Sequence, residues 1–338
     1  MQNLLVSSLI TITFCSITVN AGTLENVKKS GILKCGVNTG LPGFSEVGAD
    51  NKWQGLDVDV CRSVAAAVLG DASKVKFVPL TTKERFTALQ NSEIDVLSRN
   101  TTWTVTRDTS LGLNFAGVTY YDGQGFLIAK RLGVQSATQL DGASVCIQAG
   151  TTTELNLADY FNTNSMKYIP ITYDTNEQVI KGFESGQCDL ITSDASQLYA
   201  LRTQISNPDN FKVLPEIISK EPLGPIVRQG DDVWFNIVKW SLNAMKSAEE
   251  LGLTSKNVDS VMKTSKNPEV LRILGESGQI GENLKLDSKW AYNIIKQVGN
   301  YGESFERNVG MKSPLKIDRG LNNLWTIKGG LQYSPPFR

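Results

Sequence analysis

The sequence predicts an α/β clamp of two lobes, the second inserted into the first and joined to it by two crossover strands. Three observations carry this expectation. Residues 89–100 repeat weakly at 183–194, each copy running from an amphipathic helix through a polar turn into a short apolar strand. Strand-like and helix-like patterns alternate along much of the chain, which predicts a mainly parallel sheet in each lobe. Two segments rich in Gly or Pro, 123–131 and 223–231, bracket the second copy and read as the crossovers that would act as a hinge. A chain of 338 residues is also long enough for two cores.

From the N-terminus, residues 4–19 form an apolar stretch dotted with Ser and Thr, followed by Val19-Asn20-Ala21, the small-residue spacing that a signal peptidase accepts. Residues 1–21 are therefore expected to be a signal peptide cleaved after Ala21, with the mature chain in the periplasm. No basic residue precedes the run, since the first charge is Glu25. The alternatives are a lipoprotein anchored through Cys15, for which Phe14 is bulky, and an uncleaved anchor, for which the run is short. No later segment is apolar enough to span a bilayer.

Lys+Arg and Asp+Glu both number 34, so no net field recruits nucleic acid or an anionic membrane, and no nucleic-acid partner is expected. The chain has no histidine, which removes His-based catalysis and the usual Cys/His zinc sites; no metal or cofactor is expected. Cleavage leaves Cys35, Cys61, Cys146 and Cys188, an even count that suits an oxidising compartment. Of the three possible pairings, sequence order favours Cys35–Cys61 and Cys146–Cys188, one in each half; four free thiols are the alternative.

Strands are expected at 32–37, 75–79, 94–97, 125–130, 144–148, 167–171, 188–191 and 212–214, with helices at 58–69 and 155–161. The first lobe then comprises 22–126 and 225–267, and the second 127–224. Residues 268–338, with helical periodicity over 290–305, would form an extension packed on the first lobe.

The repeat places Ser98, Arg99 and Asn100 at one strand end and Thr192, Ser193 and Asp194 at its equivalent, where open α/β sheets bind ligands. Residues 99–108 are dense in hydroxyl groups and hold Arg99 and Arg107, a guanidinium fork and short donors of the kind a desolvated carboxylate needs. On composition alone the favoured alternative is a surface Arg107 that caps or pairs with Asp108. Gly150-Thr151-Thr152-Thr153-Glu154 follows a strand and opens a helix, whose unpaired amides suit an anion; the alternative is a capping box between Thr151 and Glu154. Asp194 could hold an ammonium or cap the helix that follows it.

These residues carry a resemblance. Gly55-Leu56-Asp57-Val58-Asp59-Val60-Cys61-Arg62, Glu84-Arg85-Phe86-Thr87-Ala88-Leu89, Leu97-Ser98-Arg99-Asn100-Thr101-Thr102-Trp103-Thr104, Tyr120-Tyr121-Asp122-Gly123-Gln124-Gly125-Phe126 and Leu214-Pro215-Glu216-Ile217-Ile218 look like the polar amino-acid-binding family of ABC transporters, closely like its general L-amino-acid-binding branch. The likeness covers nearly all of the mature chain. It implies a type II periplasmic-binding-protein clamp, monomeric, that takes a free L-amino acid, with broad specificity, and delivers it to transmembrane permease subunits. It further implies that Arg107, with Thr102, Thr151, Thr152 and the backbone at Gly150, grips the α-carboxylate and that Asp194 takes the α-ammonium. Phe44 is the candidate aromatic cover, although its loop, 38–45, aligns poorly with shorter relatives. Arg99, Asn100 and Trp103 replace residues that are small in many relatives and are candidates for side-chain selection.

An enzyme is the competing class, because the same fold resembles that of certain exported dehydratases and of modules attached to cell-wall lytic enzymes. It would need a further acid or base, and Glu154 and Asp108 are the only nearby carboxyl groups. A receptor module is the third class, disfavoured because no membrane or signalling segment is seen after the clamp.

Overall fold

The computed structural model describes residues 22–338. The expected signal peptide, its cleavage site and Cys15 lie outside the described residues. Two five-stranded sheets are built to one plan. The first runs in the order Val75–Pro79, Leu33–Val37, Val96–Leu97, Ile226–Arg228, Leu113–Phe115, and the second in the order Tyr168–Tyr173, Ala143–Gln148, Leu190–Asp194, Gln124–Ala129, Phe211–Val213. In each, the first three strands are parallel and the fourth is antiparallel to both neighbours. The reversed strand is in each case the one that the chain enters directly from a crossover, so the parallel pattern is interrupted where a lobe is joined.

The crossovers themselves lie slightly earlier than the Gly/Pro signal suggested. They are Tyr120–Asp122 and Glu221–Leu223, paired antiparallel as a two-stranded ribbon. The segments read as crossovers are instead largely sheet strands: Gln124–Ala129 is buried along its whole length in the second lobe, and Ile226–Arg228 belongs to the first. Gly224 permits the ribbon's close approach, because a Cβ there would sit 1.9 Å from the carbonyl oxygen of Gly117.

Each lobe has one disulfide. Cys35–Cys61 ties a central strand to helix Leu56–Leu69, and Cys146–Cys188 ties the centre of the second sheet to the turn before Leu190–Asp194. Helix Leu56–Leu69 is buried along nearly all its length, lying against the sheet and against helices Asp232–Glu250 and Trp290–Gln297. Helix Trp290–Gln297 belongs to the C-terminal extension, which packs on the first lobe. Its periodicity over 290–305 is not one helix but two, Trp290–Gln297 and Tyr301–Asn308, separated at Gly299 (φ 95°) and restarted by a capping box between Asn300 and Glu303. The buried carboxylate of Asp59 locks the extension down by accepting from Ser304 Oγ, Arg307 Nη2 and Asn308 Nδ2, each at 2.6 Å. Asn322 reaches the hinge, accepting from Tyr121 N–H at 2.7 Å and donating to Tyr121 C=O at 3.1 Å. Among the described residues no helix is long and apolar enough to cross a membrane.

Candidate functional site

The strand ends that the repeat made equivalent face one another across the two lobes. Strands Val96–Leu97 and Leu190–Asp194 occupy the same position in their sheets, third in order and beside the reversed strand. A narrow cavity of about 20 Å³ lies between them, lined by Thr82, Arg85, Arg99, Asn100, Thr102 and Arg107 of the first lobe and by Gln148, Thr151, Thr152, Thr153, Ser193, Asp194 and Gln197 of the second. A larger hollow of about 510 Å³ beside Asp59 and Arg62 is less suited to a ligand, because Asp59 is already paired with both Arg62 and Arg307.

The first-lobe wall is cationic. Arg107 is half-buried and donates Nη1–H to Thr102 C=O at 3.0 Å, which fixes the guanidinium over the strand-end loop instead of against Asp108. Thr104 caps the short helix Val105–Ser110 through Arg107 N–H. Arg99 is 1% exposed and donates Nε–H to Leu80 C=O at 2.8 Å, while its Nη2 has no partner. Arg85, 2% exposed, donates to Thr101 Oγ1 at 3.1 Å and to Gly150 C=O at 3.4 Å, and its Nε is unpartnered. Burial, with repulsion from Arg99 and Arg107, drives the pKa of Arg85 well down; burial takes that of Arg99 to about 10. Asn100, in the left-handed region at φ 31°, donates to Gln197 Oε1 of the opposite lobe at 3.0 Å.

The second-lobe wall presents a carboxylate and hydroxyl groups. Asp194 ends its strand without capping the helix that follows: that cap comes from Asp122, which accepts from both the amide and the hydroxyl of Ser196. Burial, then the neighbouring Asp122 and Glu221 carboxyl groups, hold the Asp194 pKa well above the usual carboxylate range, against the pull of Arg107 and Arg85. The Thr151–Glu154 capping box does not form. Thr151 donates to Gln148 C=O at 2.8 Å and Glu154 accepts from Gly150 N–H at 3.3 Å, so no side chain caps helix Thr153–Thr163. Its first-turn amides stay open to an anion. Thr152 donates to the buried hinge carboxylate Glu221 at 2.9 Å and lies 3.5 Å, oxygen to oxygen, from Thr102.

Arg107, Asp194, Thr102, Thr151, Thr152, Asn100 and Arg99 are thus brought to one cavity. Gly150 stands behind it, its φ of 73° turning the strand into the helix. Two expected site residues lie elsewhere. Phe44 is 1% exposed, edge-on to Tyr120 at 5.6 Å in the first-lobe core, and covers no ligand space. Trp103 points away and stacks on Phe115 at 5.5 Å, 39% exposed. Sequence reasoning missed Arg85. The signal was a charge on the apolar face of its own amphipathic helix, a place where an unpaired cation is costly.

Comparison with known proteins follows the same lines. Residues 33–257 match the family described as bacterial extracellular solute-binding proteins, family 3. A putative amino-acid ABC transporter-binding protein, YhdW, of Escherichia coli K12 is 61% identical over 94% of this chain and 92% of its own. The general L-amino acid-binding periplasmic protein AapJ of Rhizobium johnstonii is 58% identical over 94% of each chain. An ABC transporter/periplasmic binding protein from Brucella ovis, solved with glutathione bound, superposes with a TM-score of 0.92 at 57% identity, covering 94% of this chain and all of its own.

Proposed function

The chain belongs to the bacterial extracellular solute-binding proteins, family 3, and from that premise we propose that it is the periplasmic, monomeric receptor of an ABC transporter that holds the zwitterionic head of an L-amino acid between its lobes. One observation carries the reading: Arg107 and Asp194 line opposite walls of the same narrow cavity. In this reading the α-carboxylate lies on the Arg107 guanidinium, with the Thr102 and Thr152 hydroxyl groups and the Thr153–Thr163 helix amides completing its lone pairs. The α-ammonium lies on Asp194. The two charges of one ligand then bridge the two lobes, so binding and closure are a single event, and dehydration strengthens both ion pairs. The closed form would be presented to transmembrane permease subunits after cleavage of the leader at Ala21. YhdW and AapJ, named for amino-acid transport and binding, support the ligand class.

Binding, not catalysis, suits the available acids. Glu154 is engaged with Gly150 N–H, and neither it nor Asp108 lines the cavity. The glutathione-bound relative favours a second ligand, a γ-glutamyl peptide, whose γ-glutamyl end carries the same zwitterion. Titration calorimetry against the common L-amino acids tests the reading. Arg107→Ala and Asp194→Asn should each weaken binding by about 2–5 kcal/mol, because each leaves an opposite charge buried without its partner. Wild-type affinity in Arg107→Ala, or recovery of a ligand of altered mass, would overturn it.

A further inference from the structure

We propose that Asp122 and Glu221, which face each other across the hinge ribbon, are positioning residues of the cleft: each holds the start of one second-lobe helix, so that the ribbon sets Asp194 and Thr152 against the ligand and ligand uptake displaces a proton; this rests on the zwitterion reading above. Asp122 and Glu221 are directly opposed in the antiparallel register of the ribbon, one on each strand. Asp122 accepts from the amide and the hydroxyl of Ser196, in the first turn of helix Ala195–Gln204. Ala195 N–H donates to Gly123 C=O at 2.8 Å, so the strand that carries Asp122 also fixes the residue next to Asp194. Glu221 is 2% exposed and accepts from Thr152 Oγ1 at 2.9 Å, Asn156 Nδ2 at 2.6 Å and Ser219 Oγ at 2.7 Å, the first two at the start of helix Thr153–Thr163. Both helix starts belong to the second-lobe wall of the cavity. A change in the twist of the ribbon is therefore passed by hydrogen bonds to Asp194 and Thr152.

The same arrangement gathers negative charge. Among the described residues none of Asp122, Glu221 and Asp194 has a cationic nitrogen within 4.0 Å, and the hydrogen-bond donors to Asp122 and Glu221 are neutral. The charged and titratable groups around them are Arg107 and Arg85, on the opposite wall of the cleft, and Tyr120 of the ribbon, backed by Tyr199 and Tyr301. Carboxyl groups gathered without a cation retain a proton that separate ones would lose. Burial, then neighbouring carboxyl charge, accordingly raises Asp194 well above the usual carboxylate range, and burial takes Asp122 to about 6. The ligand's α-ammonium brings the missing positive charge to Asp194. The retained proton then passes to solvent, the Asp194 carboxylate pairs with the ammonium, and the ribbon keeps its hold on Ser196 and Thr152. The empty protein thus binds more protons than the complex, so affinity falls as pH falls through the range in which these groups take up their proton.

The test is calorimetry on the full mature protein with L-alanine, L-leucine, L-glutamine, L-glutamate and L-arginine, whose ionisation changes little between about pH 7.5 and about pH 5, the tightest binder being followed across that range in two buffers of different ionisation enthalpy. The parent is expected to bind at least about tenfold more weakly at the acid end and to release about half a proton or more per ligand, read from the difference in heat between the buffers. Asp122→Asn keeps an oxygen to accept from Ser196 and removes the charge. It should hold affinity at the alkaline end within about threefold of the parent and reduce the loss on acidification by at least about threefold. Glu221→Gln should flatten the profile likewise and also weaken binding at every pH, because one amide oxygen replaces two carboxylate oxygens as acceptor for Thr152, Asn156 and Ser219. Asp95→Asn, at a carboxyl group raised by burial but bonded to Lys34 N–H in the first lobe, should leave the profile unchanged. Affinity in the parent that does not change with pH, with equal heats in the two buffers, would overturn the proposal. So would an Asp122→Asn variant that weakens binding by one factor at every pH, the mark of a merely structural role. If Asp122→Asn does not fold, Glu221→Gln is read in its place, and a profile parallel to the parent's overturns the coupling. Failure of the zwitterion reading is distinguishable, because then no free amino acid binds at any pH and Arg107→Ala has no effect.

Discussion

The first lobe and the second order their five strands identically, each with a reversed fourth strand and one internal disulfide. Their cleft walls nevertheless carry opposite charge, three arginines on one side and Asp194 on the other. Their surroundings differ as well. The first lobe is braced by the extension through Asp59 and through Trp240, edge-on to Phe337 at 5.1 Å, and Asn322 fastens its end of the hinge ribbon. Among the described residues no hydrogen bond or ion pair ties the second lobe, beyond the ribbon, to the extension. A shared sheet plan therefore supplies two facing sets of strand ends, while divergent loops give the two sets opposite kinds of polar group, as the proposed zwitterion site requires. In the proposed clamp the braced first lobe would be the anvil and the second lobe the moving jaw.

Removing the disulfides separates these roles most strongly. The 26-residue Cys35–Cys61 separation and the 42-residue Cys146–Cys188 separation correspond to about 3.5 and about 4 kcal/mol in the chain-entropy model. In scanning calorimetry, Cys146→Ser/Cys188→Ser should lower only a first transition, that of the second lobe. Cys35→Ser/Cys61→Ser should lower the later one, which the extension supports. One cooperative transition moved equally by both variants would show that the lobes unfold as a unit and that the brace makes no difference.

How much of this could be read from the chain depends on where the information is local. The repeat survives because helix, turn and strand follow one another in sequence, so Arg99, Asn100, Ser193 and Asp194 could be paired before any contact was known. Arg107 and Asp194 were expected as ligand groups only through family resemblance, since either could have been an ordinary surface or capping residue. Phe44 failed because burial is a property of the neighbours it meets, Tyr120 and the core beneath it, that lie far away in sequence. Trp103 failed because a strand-end loop can turn its side chains either way, and Phe115 supplied the better partner. The hinge carboxylates Asp122 and Glu221 passed unnoticed. Their chemistry depends on Ser196, Thr152 and Asn156, each dozens of residues distant.

A medium effect follows from protonation. Burial raises the Asp57 pKa from 3.8 to about 6, and burial with the nearby Glu221 raises that of Asp122 in the same direction. The folded state therefore binds more protons than the unfolded chain between about pH 4 and pH 6, and stability falls as pH rises through that window. Acidifying from pH 7 to pH 5 should add about 1–3 kcal/mol in urea titrations, a gain that Asp57→Asn reduces in the first-lobe transition and Asp122→Asn in the second. A stability that declines steadily below pH 7 in the parent would show that neither carboxyl group is buried as described.

The smallest effect lies at the cleft mouth, where Lys83 of the first lobe meets Asp174 of the second at 2.5 Å with both side chains about 60% exposed. Deeper cross-lobe bonds, Thr82 Oγ1–H to Ala149 C=O at 2.7 Å and Asn100 to Gln197, persist without it. An ion pair this exposed is screened and gives up side-chain entropy to form, so its net worth is about 0.5 kcal/mol. Lys83→Ala should accordingly weaken ligand binding about twofold in low salt, through the dissociation rate, and not measurably at high salt. The thermal transitions of the ligand-free protein should stay in place, because the pair acts only when the jaw is shut. A shift in those transitions would mean that the free protein is already largely closed, and closure would then owe less to the ligand's two charges than to the contacts between the lobes.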